Sequence, residues 1–287
     1  MKYFIKKLVT LIITLLLISL LTFTAFSVIP GDAALARLGD DATEEQIEAF
    51  REEMGLNDPL PVRYVDWLSG AGRGDFGASY YYDNMTVGEL LSDRLPVTVM
   101  LAVISLLMIL ICSVPLGLLC ARGAGGVLDH AVNQILQTVM AVPSFFLGIL
   151  LTYAFGLVLH WFQPGQFVEP SESFFGAASY LVFPALAVAL PKIAMVVKFL
   201  RNAVLSELSK DYVRTAKSRG NSSRRILYVH VLKNAMIPVI TFTAMVVAEI
   251  LAGSIIVEQV FSVPGVGRLL ISSIFNRDYP VVQAIVM

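Results

Sequence analysis

The chain has 287 residues, 56% of them hydrophobic and only 15% charged, with a mean hydropathy of +0.74. Soluble domains are nearer half apolar and about a quarter charged, so this composition excludes a soluble globule. The net charge of −1 lacks the basic excess of a nucleic-acid-binding protein, and it hides a strong segregation of charge by sign along the chain.

Lys2, Lys6 and Lys7 precede an apolar run from Leu8 to Ile29. A signal peptide also begins with positive charge, but its apolar region is about 7–15 residues long and ends at a small-residue cleavage site. This run is longer and ends at Pro30-Gly31-Asp32, so it is read as a retained first span with its N-terminus in the cytoplasm. Residues 31–95 hold fourteen acidic residues against five arginines and are read as a small extracytoplasmic domain. There Thr43-Glu44-Glu45-Gln46 has the form of a capping box, followed by Ile47, Phe50 and Met54 at helical spacing and Gly55 as the stop. Tyr64 to Leu68 predicts a further amphipathic piece. The glycines between Gly70 and Gly77 lack the preceding strand and following helix of a phosphate-binding loop and are read as a turn.

Leu95 to Ala121 predicts the second span, with Pro115 near its end, and about Ala131 to Phe162 the third, with Pro143 in mid-course. Residues 177–200 predict the fourth span, carrying Pro184, Pro191 and Lys192, and Ile237 to Val257 the fifth, carrying Glu249. A last apolar run begins at Pro280. Eight residues cannot cross a bilayer, so the sequence is expected to stop inside a sixth span. The fold class that follows is an all-α polytopic membrane protein with about six transmembrane helices. Its segments are 1–30 (first span), 31–95 (outer domain) and 96–287 (membrane domain), the last with a cytoplasmic loop at 202–232.

Charges within a span are costly and usually face a pore or a partner. Lys192 and Glu249 are therefore candidate pathway residues, singly or as a mutual pair, with placement near an interface or against a neighbouring subunit as the alternative. Cys112 and Cys120 lie about 12 Å apart along one helix, beyond disulfide reach, and read as small core residues. His130, His160 and His230 are scattered and suggest no metal site. No catalytic constellation and no cofactor motif is visible.

Between the fourth and fifth spans, Ser206 to Pro238 carries seven basic residues, from Lys210 to Lys233, against Glu207 and Asp211. Asp211 is placed to cap a short helix, Gly220 to end it, and Ser222 or Ser223 to cap a second. Basic inner loops are expected from topology alone; the two caps around one short helix are what describe a stiff block.

This block resembles the cytoplasmic signature loop of the permease subunits of bacterial ABC importers, whose pattern is Glu-Ala-Ala, three residues, Gly. The corresponding positions are Arg214, Thr215, Ala216 and Gly220, so the first two residues depart while Ala and Gly keep their spacing. Asp211-Tyr-Val-Arg-Thr-Ala216, Lys233-Asn-Ala-Met-Ile-Pro238, Val257-Glu-Gln-Val-Phe261, Pro264-Gly-Val-Gly-Arg268 and Asn276-Arg-Asp-Tyr-Pro280 are similar to the dipeptide and oligopeptide permease branch. Pro30-Gly-Asp32 and Gly74-Asp-Phe-Gly77 fit that branch too. The resemblance implies one half of an import pore in a bacterial inner membrane. It also implies a second homologous permease subunit, two cytoplasmic ATPase subunits, an extracytoplasmic solute-binding protein and surrounding lipid as partners. Asp211, Tyr212, Arg214, Thr215, Ala216 and Gly220 would then form the helix that docks on an ATPase. The chain has no Gly-x4-Gly-Lys-Ser/Thr loop of its own. Permeases for nickel complexes or glutathione share the pattern and stay open as alternatives. An ion-coupled secondary transporter is the rival of another class; it calls for buried ion ligands and an inverted repeat, of which the sequence offers few and none.

Overall fold

A computed structural model describes residues 2–28, 33–39 and 42–287; the Pro30-Gly31-Asp32 segment lies outside them. Among the described residues the regular structure is helical, with one isolated antiparallel bridge between Ala78 and Thr86. Four helices are long and apolar enough to cross a membrane, and a bent helix pair makes a fifth candidate span. The chain divides into two compact units: Met1–Pro96 with Gly265–Met287, and Val97–Pro264.

In the first unit, α1 (Lys2–Val28) is the first span. Its surface is exposed apolar side chain almost throughout, as a helix facing lipid requires, and only Ser19 and Phe23 are buried. Both meet α4 (Leu60–Ala71): the Ser19 and Tyr64 hydroxyls lie 2.9 Å apart, and the Phe23 and Tyr64 rings pack edge to face at 5.3 Å. Between these helices come α2 (Ala33–Leu38) and α3 (Glu44–Glu53). The expected capping box is formed at α3: Gln46 N–H donates to the Thr43 hydroxyl, Thr43 N–H donates to the Gln46 side chain, and Gly55 follows with φ +62°.

The first turns of α5 (Val87–Arg122) join α11 (Val266–Phe275) and α12 (Tyr279–Val286) around Val87, Leu90, Leu269, Val281 and Ala284. Asp278, fully buried at the start of α12, ties this cluster to the 79–82 turn. It accepts hydrogen bonds from the Ser79 hydroxyl and, at 2.9 Å, from Tyr80 N–H. Burial pushes its carboxyl above the ordinary 3.8 despite those donors.

The second unit is built on α8 (Phe174–Leu208). About 61% of its most apolar window is buried, so α8 is the pillar of this unit. It packs on α6 (Val127–Ala141), α7 (Ser144–Val158) and α10 (Ser223–Val260). Leu181, Val188, Val197 and Leu200 of α8 meet Val239, Val246 and Ile250 of α10 in one core, and Phe199 stacks on Phe242 at 4.3 Å. Gly117 of α5 lies so close to Leu200 that a Cβ there would stand 2.8 Å from its side chain. At about 1.5 Å per residue the 35 residues of α8 extend about 52 Å, well beyond a hydrocarbon core of about 30 Å, so its polar end projects past the apolar layer.

The third span, expected over about Ala131 to Phe162 with Pro143 in mid-course, is two helices sharply bent at that proline. Helices α6 and α7 meet at 98°. The cause is Pro143, whose ring disfavours the helical conformation in the preceding residue; Val142 takes φ −90°, ψ 124° and ends α6. Pro184 and Pro191, by contrast, sit inside an unbroken α8. Each removes one backbone donor, a loss that membrane helices tolerate when neighbours re-satisfy the freed carbonyl.

The raised Asp278 carboxyl predicts a pH dependence. Its folded-state value lies above the unfolded one, so its contribution is fully present below about 3.8 and is lost as pH rises through the raised value. Thermal unfolding of the chain in detergent should show stability falling over that window. In Asp278→Asn this component of the slope should vanish; an unchanged pH profile in the variant would count against the buried-carboxyl account.

Candidate functional site

The polar end of α8 runs into a compact block. Ser209 and Lys210 make the turn, α9 (Asp211–Ser218) follows, and α10 begins five residues after α9 ends. Glu207, in the last turn of α8, fixes the start of α9 from two sides: it pairs with Lys210 and accepts a 2.8 Å hydrogen bond from the Tyr212 hydroxyl. The Glu207 carboxylate raises the Lys210 ammonium above its ordinary value, and burial raises the Tyr212 phenol, so both stay protonated at neutral pH.

Helix α9 is a two-faced piece. Val213 and Ala216, three residues apart, are buried in the same core as α8 and α10. Asp211, Arg214, Thr215, Lys217 and Ser218 are exposed. The expectation that Asp211 caps this helix is corrected. Lys210 holds the cap position and makes no side-chain cap bond, while Asp211 lies in the first turn, 3.5 Å from Arg214. A carboxylate there still complements the helix dipole.

The far end behaves as expected. Gly220 takes φ +76°, its N–H donates to Lys217 O at 2.9 Å, and Asn221 N–H donates to Ala216 O at 3.2 Å. This is the paired-bond Schellman ending that a left-handed residue permits, and the Asn221 side chain adds a second bond to Ala216 O at 3.0 Å. The Ala216–Gly220 spacing thus has a structural cause: Ala216 offers both a small buried side chain and the carbonyl that closes the turn. Ser222 then caps α10, accepting from Arg225 N–H, and a stretch of π-helix over Ile226–Val231 buries Ile226, Leu227 and Val231.

Lys192 of α8 and Glu249 of α10 do form a pair, with side chains 21% and 48% exposed within this chain. A second ion pair was not foreseen. Asp129, 1% exposed in the first turn of α6, accepts two hydrogen bonds from Arg201 of α8, with Nε at 2.7 Å and Nη2 at 2.5 Å. Gly125 N–H and Asn133 Nδ2 complete its shell at 2.9 and 2.7 Å. Arg201 reads in the sequence as one of many inner-side charges; the available signal was Asp129, an acid at the edge of an apolar run and far from the acidic segment. Among the described residues no group of three or more His, Cys, Asp or Glu side chains could hold a metal ion.

This chain belongs to the family of binding-protein-dependent transport system inner membrane components. Residues 113–287 match the model of that family, and residues 1–102 match the model of its N-terminal membrane component. It is a multi-pass inner-membrane protein of the ABC permease class. It is 35% identical to a probable peptide ABC transporter permease protein, y4tP, of Sinorhizobium fredii, over 99% of this chain and 91% of that protein. It is 34% identical to the oligopeptide transport system permease protein AppB of Bacillus subtilis, over 98% of this chain and 90% of that protein. With the dipeptide transport system permease protein DppB of the same organism the identity is 32%, over 98% and 88%.

The geometry of α9 makes Gly220 the residue least open to change in the block. A β-branched side chain at φ +76° costs roughly 1–2 kcal/mol, whereas asparagine visits this conformation more readily. One to two kcal/mol shifts a local opening equilibrium by a factor of about 5–30. Trypsin cleavage after Arg219 in detergent should therefore rise by about that factor in Gly220→Val and by much less in Gly220→Asn. Equal cleavage of all three proteins would contradict the assignment.

Proposed function

We propose that this chain is one half of the pore of an ATP-driven importer of short peptides, and that α9 is the piece on which an ATPase subunit docks. The observation that carries the coupling role is α9 itself. It is short, fixed at both ends, seated on the core through Val213 and Ala216, and turns a polar face outward. A lever needs stiffness on one side and a free surface on the other, and α9 has both. Asp211, Tyr212, Arg214, Thr215, Ala216 and Gly220 divide that work: Tyr212, Ala216 and Gly220 hold the helix, while Asp211, Arg214 and Thr215 meet the partner.

In this reading the N-terminus and the 202–232 loop are cytoplasmic, and the acidic 31–95 segment is extracytoplasmic, where a solute-binding protein delivers cargo. Its placement follows from the basic residues of the short loops. A second homologous permease completes the pore, and two ATPase subunits supply hydrolysis. Peptide as the cargo class is supported by the names of the relatives. Lys192 and Glu249, a charge pair within two spans, are assigned to the pathway.

The test is reconstitution of the four kinds of subunit in proteoliposomes. Uptake of di- to pentapeptides should require ATP and the binding protein. ATP-dependent uptake of a nickel complex or glutathione with no peptide uptake would overturn the peptide assignment.

A further inference from the structure

The two ion pairs of the second unit are built differently, and the difference is informative. Asp129 and Arg201 are joined by two hydrogen bonds, and the carboxylate is closed off by Gly125 and Asn133. Lys192 and Glu249 are joined by one contact between Nζ and Oε2, with the carboxylate about half exposed. An ammonium has three donors and a carboxylate two acceptor oxygens, so this pair keeps capacity to spare on an open face. Ala248 and Ala252, exposed beside Glu249, leave room at the carboxylate.

Its depth is equally telling. Lys192 stands 16 residues before the end of α8 at Leu208, and Glu249 stands 11 before the end of α10 at Val260. Both lie inside helices long and apolar enough to cross a membrane, away from the helix ends. A half-open charge pair at that depth is costly against lipid tails and is expected against water or a polar solute.

We propose that Lys192 and Glu249 form a relay site for the charged ends of a zwitterionic peptide. Lys192 takes the peptide carboxylate, Glu249 takes the peptide ammonium, and the two side chains pair again once the solute has passed. The inference rests on the reading of this chain as a peptide-conducting pore. Opening an ion pair at this depth strands two charges unless something replaces each partner. A zwitterion offers each side chain the sign it has given up; a peptide blocked at one end leaves one of them alone.

The experiment uses the full complex in proteoliposomes with saturating binding protein and trialanine, its N-acetyl form and its C-terminal amide. Initial uptake rates are compared for the wild type, Lys192→Met and Glu249→Gln, each matched for subunit assembly. Dividing each variant rate by the wild-type rate for the same peptide removes the binding protein's own preference. Lys192→Met should slow the two peptides with a free carboxylate by about ten-fold or more relative to the amide. Glu249→Gln should do the same to the two peptides with a free ammonium relative to the N-acetyl form. If a single variant fails to assemble, the neutral double variant Lys192→Met/Glu249→Gln serves, because replacing both members of a pair is milder than stranding one. It should slow free trialanine more than N-acetyl-trialanine amide, added as a doubly blocked fourth peptide. Variants that slow all the peptides equally, or none, overturn the relay. A wild-type complex that transports none of them overturns the peptide reading beneath it.

Discussion

The bidentate contact between Arg201 and Asp129 is the constraint on which the second unit hangs. Removing one partner of a buried ion pair costs about 3–5 kcal/mol, because the other charge is left without compensation. That exceeds the roughly 1–2 kcal/mol at stake in the left-handed turn at Gly220. The pair pins the first turn of α6 to α8 seven residues before α8 ends, and the polar block begins where α8 ends. The Asp129–Arg201 latch therefore fixes α6 against the end of α8 from which α9 is presented.

From that anchor the stiffness of the block follows by short steps. Glu207 fastens Lys210 and Tyr212, Val213 and Ala216 enter the core, the Asn221 and Gly220 amides close the end of α9, and Ser222 opens α10. Each contact is worth little by itself; a net hydrogen bond contributes about 1 kcal/mol. Together they leave no unconstrained residue between two long helices, which is the property a coupling element needs. Lys192 and Glu249 lie well inside their helices and are built differently. Where the Asp129 carboxylate is closed off at 1% exposure, that of Glu249 is singly held and about half exposed, and the proposed pathway role depends on that openness.

Much of this was legible in the sequence because it rests on local rules. Apolar run length marked the spans, Thr43 and Gln46 marked a helix start, and Gly220 marked a helix end. Lys192 and Glu249 were conspicuous as charges where charges are rare. What escaped depended on distant pairing or on competition between local signals. Asp211 looked like a cap because its side chain suits one, yet Lys210 took the position, with Glu207 gathering both Lys210 and Tyr212. Pro143 looked like Pro184 and Pro191, but it stops a helix where they are absorbed; only the surrounding packing separates the two outcomes. The partnership of Asp129 with Arg201 spans 72 residues, and no periodicity announces it.

In the proposed coupling role, α9 and the adjoining end of α8 move as one rigid body when ATPase subunits close beneath them. The direct measurement is a spin-label distance within this chain, between Ser218→Cys on α9 and Asn202→Cys on α8, with Cys112 and Cys120 replaced by alanine. It would be recorded in the assembled complex without nucleotide and with ATP trapped. The account predicts the same narrow distance distribution in both states. A distribution that shifts or broadens on trapping ATP would show α9 swinging on a hinge at Ser209, and would contradict it.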